Sequence, residues 1–191
     1  MTRRTAVLVE LLHNPRVRRL ELAFGAFNIA EYGVWLAVLV YAYERGGTTA
    51  ASIVAVAQLL PAGLVAPVAA RAVDRKGADK ALRAGYCWQC GTCAVTAVLL
   101  LTGAPALTVY AAAILAACAV TATRPAQAAL VPVLARDAHE LTAITVLSGW
   151  VESISVLAGP ALAGLLIGLD GPGAAVALFA GCTAATRFAC A

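Results

Sequence analysis

From residue 20 to 43 the sequence runs through an apolar segment long enough to cross a lipid bilayer as a helix. Further segments of this kind follow at about residues 49–73, 81–102, 106–123, 141–169 and 174–190. A chain organised this way cannot hide such surface in a soluble core, and the runs are too continuous for the alternating strands of an outer-membrane barrel. The expected fold class is therefore an all-α membrane protein, a single bundle of about six transmembrane helices over residues 1–191. Composition agrees: 62% of residues are hydrophobic and 13% charged, against about 45–50% and 25% in soluble domains. Aromatics are 6%, while Ala, Gly, Leu and Val dominate, which suits helices packed closely through small side chains.

Polar punctuation separates the runs. Glu44-Arg45-Gly46-Gly47 ends the first and Asp74-Arg75-Lys76-Gly77 the second, which carries Pro61 and Pro67 inside it. Gly103-Ala104-Pro105 turns the third into the fourth, which Arg124-Pro125 closes. A polar stretch containing Arg136, Asp137, His139 and Glu140 precedes the fifth, and Asp170-Gly171-Pro172-Gly173 leads to the sixth, which carries Arg187 and is short for a span. With the N-terminus cytoplasmic, the inner side receives every Lys and Arg except Arg45, a bias that puts both termini inside the cell membrane. The net charge of +4 then reflects an inner rim facing anionic lipid, with no nucleic-acid partner implied. Arg3 and Arg4 are followed by a segment interrupted by Glu10 and His13, so no cleavable signal peptide is read there. Residues 5–13 are expected as a short amphipathic surface helix ended by Asn14-Pro15.

Few residues offer chemistry. Cys87, Cys90 and Cys93 have the spacing of part of an iron–sulfur motif, but the fourth ligand and its following Pro are missing and the run lies inside an apolar helix. They are read, with Cys118, Cys182 and Cys190, as small apolar fillers; no metal, cofactor or disulfide framework is expected. His13 and His139 lie in polar flanks, no nucleophile matches them in depth, and no enzyme is expected. The remaining candidates are ionisable groups at membrane depth: Glu31 near the middle of the first span and Glu152 a third of the way into the fifth. Each should face the bundle interior or an aqueous cavity, either handling protons or cationic groups or hydrogen-bonded to Ser, Thr or Trp of a neighbouring helix. Asn28 and Gln58 are weaker candidates for lining the same cavity.

Asp74-Arg75-Lys76-Gly77, with Lys80 and Arg83 after it, resembles the signature loop of the major facilitator superfamily, with Ala70 for the usual Gly and Ala78 and Asp79 for two basic residues. Arg124-Pro125-Ala126-Gln127 followed by Leu130-Val131-Pro132 is similar to the corresponding stretch of exporters in that superfamily. Gly159-Pro160-Ala161-Leu162-Ala163-Gly164 resembles the Gly-Pro motif of its proton-coupled drug antiporters, Ala163 standing where Gly is usual, and Asn14 to Leu20 is similar to the entry into its first helix. The resemblance implies the N-terminal six-helix half of a secondary transporter, truncated before its second half, which exports small molecules by alternating access. It implies a conformational switch at Asp74, Arg75, Gly77 and Arg124, a bend at Gly159, Pro160 and Gly164, and a cavity at Glu31, Glu152, Asn28 and Gln58. Its expected partners are a small-molecule substrate, protons, lipid, and a second six-helix half or a homodimer partner. A non-transporting membrane scaffold or assembly subunit is the alternative.

Overall fold

The structure is a computed structural model that describes residues 14–189; the surface helix expected over 5–13 lies outside the described residues, as do Arg3, Arg4 and Cys190. Among the described residues there are four helices and no strand: α1 Pro15–Lys76, α2 Ala78–Leu101, α3 Ala106–Leu134 and α4 Ala138–Ala189. All four are long and apolar enough to cross a membrane. The protein is an all-α membrane protein, in four helices where the sequence reading expected six separate spans.

Two of the helices bend back on themselves, which accounts for the difference. A straight helix of 62 residues would be about 90 Å long, three times the ~30 Å hydrocarbon thickness. α1 instead breaks at Gly46 (φ −150°, ψ 21°) and Gly47 (φ 62°, ψ −157°), within the expected Glu44–Gly47 turn. Leu20 and Val73, each 26 residues from the nearer of these glycines, pack in one buried cluster, and Val34, Val38 and Ala42 share another with Val54. α4 breaks at Gly171 (φ 83°, ψ 174°), and Ala163 before the break packs in the same cluster as Ala175, Val176 and Phe179 after it.

The ends of the helices follow from local chemistry. Asn14 caps α1, its side chain accepting from the Arg16 N–H at 3.1 Å, with Pro15 in the first turn where its missing N–H is not needed. The expected Asn14-Pro15 helix stop is thus also a helix start, a turn before Leu20. Asp137 and Glu140 form a reciprocal cap on α4: Asp137 Oδ1 accepts from Glu140 N–H at 2.7 Å and Glu140 Oε2 from Arg136 N–H at 2.6 Å. α3 does not stop at Arg124-Pro125 but runs on to Leu134. Pro125 removes one hydrogen bond, and the burial of Ala126, Gln127 and Val131 in the turns beyond it holds the helix together.

Small residues dominate the interior. Ala23, Ala30, Ala37, Ala113, Ala119, Ala126, Ala163 and Ala175 are almost fully buried, so the helix axes approach closely. At Gly159 of α4 a Cβ would stand 2.7 Å from the Ile29 carbonyl oxygen and 3.0 Å from Tyr32 Cβ, so only glycine lets α4 pass α1 at this point. The outside is aliphatic: Leu64, Leu107, Val133 and Leu157 are all at least 76% exposed. Polar groups lie inside instead, at Glu21, Asn28, Gln58, Gln89, Thr96 and Gln127. That inversion suits a hydrocarbon surround.

Candidate functional site

The continuation of α3 past Thr123 keeps Arg124 on a helical face inside the bundle. Its Nη1 donates to Glu152 Oε1 of α4 at 2.6 Å. Its Nη2 donates to Glu31 of α1 at 3.3 Å (Oε2) and 3.4 Å (Oε1), and to the Tyr32 hydroxyl at 3.2 Å. One cation therefore holds two carboxylates from two other helices, and the cluster carries a formal charge of −1. The contact to Glu152 is short and charge-assisted; those to Glu31 are longer, although Glu31 is the more enclosed carboxylate, 19% exposed against 38%. Glu31 thus keeps acceptor capacity that Arg124 does not saturate.

Beside the cluster lies a cavity of about 350 Å³ between α1, α2 and α3. Glu31, Tyr32, Trp35, Gln58, Gln89, Cys93 and Thr121 line it, with Val34, Leu59, Val120 and alanines of α3 supplying apolar wall. Gln89 donates to the Phe27 carbonyl at 3.4 Å and Gln58 to that of Val54 at 3.5 Å. A pocket with two aromatic rings, two amides, a hydroxyl and an incompletely paired carboxylate can take an amphipathic molecule or exchange a proton with its contents. Gly159 contributes at a distance: its close approach to Ile29, Tyr32 and Gly33 sets the register of the α1 turn that carries Glu31.

The structure brings Glu31 and Glu152 together, through Arg124 and not through the Ser, Thr or Trp partners considered from sequence. Gln58 lines the cavity; Asn28 is fully buried but not in its wall, donating to the Phe24 carbonyl at 2.9 Å. Asp74 and Arg75 are exposed in the last turn of α1 and make no ion pair with another described residue, whereas Asp79 pairs with Arg83 at 3.3 Å. Arg124 is thus placed with the carboxylates and apart from the Asp74 loop. Gly77, at φ 85° and ψ 148°, turns the chain from α1 into α2 in a conformation open to glycine, its N–H donating to Val73 O at 2.9 Å. Pro160 lies inside α4 beside Gly159, while Gly164 faces open space. Along α2 the three cysteines pass from exposed Cys87 through half-buried Cys90 to buried Cys93 on the cavity wall.

Sequence reasoning missed Tyr32, Trp35, Gln89, Cys93 and Thr121 as lining groups and assigned Arg124 to a loop. A signal for Arg124 existed: two carboxylates at membrane depth require a compensating cation, and Arg124 directly abuts an apolar run. No family model matches the chain, and no curated protein matches it.

Proposed function

We propose that the chain is one half of a secondary transporter of the major facilitator type, which moves small amphipathic molecules across the cell membrane in exchange for protons. The observation that carries this reading is the Glu31–Arg124–Glu152 cluster at the edge of a part-aromatic cavity in an apolar bundle. Burying charge at that depth is unfavourable, and it is retained where it serves a pathway. Protonation of a carboxylate would loosen its hold on Arg124, and a bound cationic or polar group would compete for the same oxygens, so proton and substrate act on one set of contacts. Divided at the breaks in α1 and α4, the four helices make six arms, which supports the reading because one half of such a carrier has six spans. A second six-helix half, or another copy of this chain, completes the cavity. The loop at Asp74, Arg75 and Gly77 acts as the switch between inward- and outward-open states, with both termini cytoplasmic.

The test is transport in lipid vesicles carrying the chain, alone or joined to a matching second half, under an imposed pH gradient. Gradient-dependent movement of an amphipathic dye that disappears in the Glu31→Gln, Glu152→Gln double variant supports the reading. Full pH-dependent transport in that variant reduces both carboxylates to packing groups and ends it.

A further inference from the structure

Ten residues before Glu31 on α1, Glu21 is 4% exposed and takes no part in the Arg124 cluster. Its Oε1 accepts from the Ser148 hydroxyl of α4 at 2.6 Å, while its Oε2 is buried without a hydrogen-bond partner. On α3, Gln127 is 5% exposed, and neither its Nε2 nor its Oε1 has a partner.

Helix register brings these three side chains to one level. Val17, Val131 and Ile144 form a buried contact of α1, α3 and α4. Glu21, Gln127 and Ser148 each stand four residues from a member of that contact, in the direction away from the Asn14 end of α1. A further turn in the same direction, Arg124 and Glu152 are bonded at 2.6 Å. Two polar layers are therefore stacked about 5.4 Å apart, one helical pitch. The layer nearer Asn14 holds a carboxylate oxygen and both ends of an amide with nothing bonded to them. Buried polar atoms are satisfied by protein or by water, and a buried water needs two to four such partners.

We propose that the Glu21–Gln127–Ser148 layer holds buried water and that Glu21 is a proton-binding site in series with Glu152 and Glu31, linking the cluster to the Asn14 end of the bundle. Water bonded to Glu21 Oε2 delivers a proton to that oxygen; Gln127, with two donors and an acceptor, orients water on either side and offers no charge to compete. The charged groups nearest in register are Arg124 and Glu152 in the next layer, already bonded to each other; exposed Arg18 and Arg19 on α1; and, beside Val73 and Leu82, which pack with Leu20, exposed Asp74 and the Arg83–Asp79 pair. The water and proton site stands whether or not the chain transports; its use in coupling rests on the transporter reading.

The experiment is infrared difference spectroscopy between acid and alkaline pH on the full chain in lipid vesicles, with the proton as probe and D2O exchange as a second readout. The expected result is a pH-dependent carboxyl band lost in Glu21→Gln and retained, at shifted position, in Glu21→Asp. In Glu31→Gln and Glu152→Gln that band persists. Gln127→Leu replaces the amide by apolar volume, so isotope exchange at the Glu21 carboxyl should be lost on the timescale at which the unsubstituted protein exchanges. The absence of any Glu21-dependent band, or unchanged exchange in Gln127→Leu, overturns the site. Gradient-driven transport left intact by Glu21→Gln, with the band present in the unsubstituted chain, overturns the series connection. A Glu21 band with no gradient-driven transport, either by the chain alone or joined to a matching second half, supports the site and refutes only the transporter reading.

Discussion

The Arg124 guanidinium donates to the Glu152 carboxylate at 2.6 Å, and the same guanidinium reaches Glu31 at 3.3 Å. Replacing Arg124 by Met leaves two carboxylates facing each other with no cation. A fully buried pair broken this way loses ~3–5 kcal/mol, and with Arg124 36% exposed the expected loss is about 1–3 kcal/mol. Thermal unfolding in detergent measures it. Removing all three charges, in Glu31→Gln, Arg124→Gln, Glu152→Gln, should restore part of the stability, because no uncompensated charge remains. A triple variant less stable than Arg124→Met contradicts the cluster's electrostatics. Lysine at this position should rescue incompletely, since a single ammonium cannot span both carboxylates and the Tyr32 hydroxyl as the forked guanidinium does.

Two glycines of one motif should respond in opposite ways. At Gly159 an added methyl meets the Ile29 backbone, which cannot step aside without moving α1 against α4, so Gly159→Ala is expected to lose about 1–3 kcal/mol. At Gly164 nothing lies within 4 Å, and alanine there should be neutral or gain up to ~1 kcal/mol from helix propensity. Equal melting temperatures for the two variants would show that α4 does not pass α1 at Gly159.

How much of this was legible in advance depends on which interactions are local. The apolar runs, the small-residue packing and the breaks at Gly46-Gly47 and Gly171 all follow from neighbouring residues, and they were readable. Glu31 and Glu152 stood out because a charge in a hydrocarbon segment is conspicuous on its own. Their meeting through Arg124 was not readable, because it depends on how α1, α3 and α4 rotate about their axes, and because Pro125 reads as a helix end until the burial of Gln127 and Val131 is known. Glu21 escaped notice for a similar reason: near a span end it passes for a solvated group until Ser148 is found against it.

At Gly77, whose φ of 85° and ψ of 148° L side chains avoid, alanine is expected to strain the α1–α2 connection by about 1–3 kcal/mol although no atom obstructs its Cβ. Gly91, inside α2 with equally open surroundings, is the control, and its alanine variant should not destabilise. If Gly77→Ala and Gly91→Ala melt together, the turn does not depend on the left-handed conformation.

Thiol labelling reads the orientation of α2. A lipid-soluble maleimide should modify Cys87, which faces outward, and leave Cys93, 1% exposed on the cavity wall, unreacted until the protein is unfolded. Rapid native labelling of Cys93 with Cys87 protected would turn the helix by about a third of a revolution and remove Gln89 from the cavity.

Reporter fusions check the bent-back arms. Fusions at Gly47, Ala104 and Gly171 should report one side of the membrane and a fusion at Gly77 the other. If Gly47 and Gly77 report the same side, the two arms of α1 do not both cross.

The long sequence interval between Glu31 and its cation has a consequence for biosynthesis. Arg124 lies 93 residues downstream of Glu31, and Glu152 another 28. At a synthesis rate of about 5–20 residues per second, α1, which ends at Lys76, is complete roughly 2–10 s before the guanidinium that stabilises its carboxylate has been made. Throughout that interval the nascent hairpin carries an uncompensated acid at membrane depth, and α3 delivers the neutralising charge only on its own arrival. The order of synthesis thus makes the third helix the one whose arrival compensates the acid carried by the first, and a chain halted before Arg124 would leave that acid without its cation.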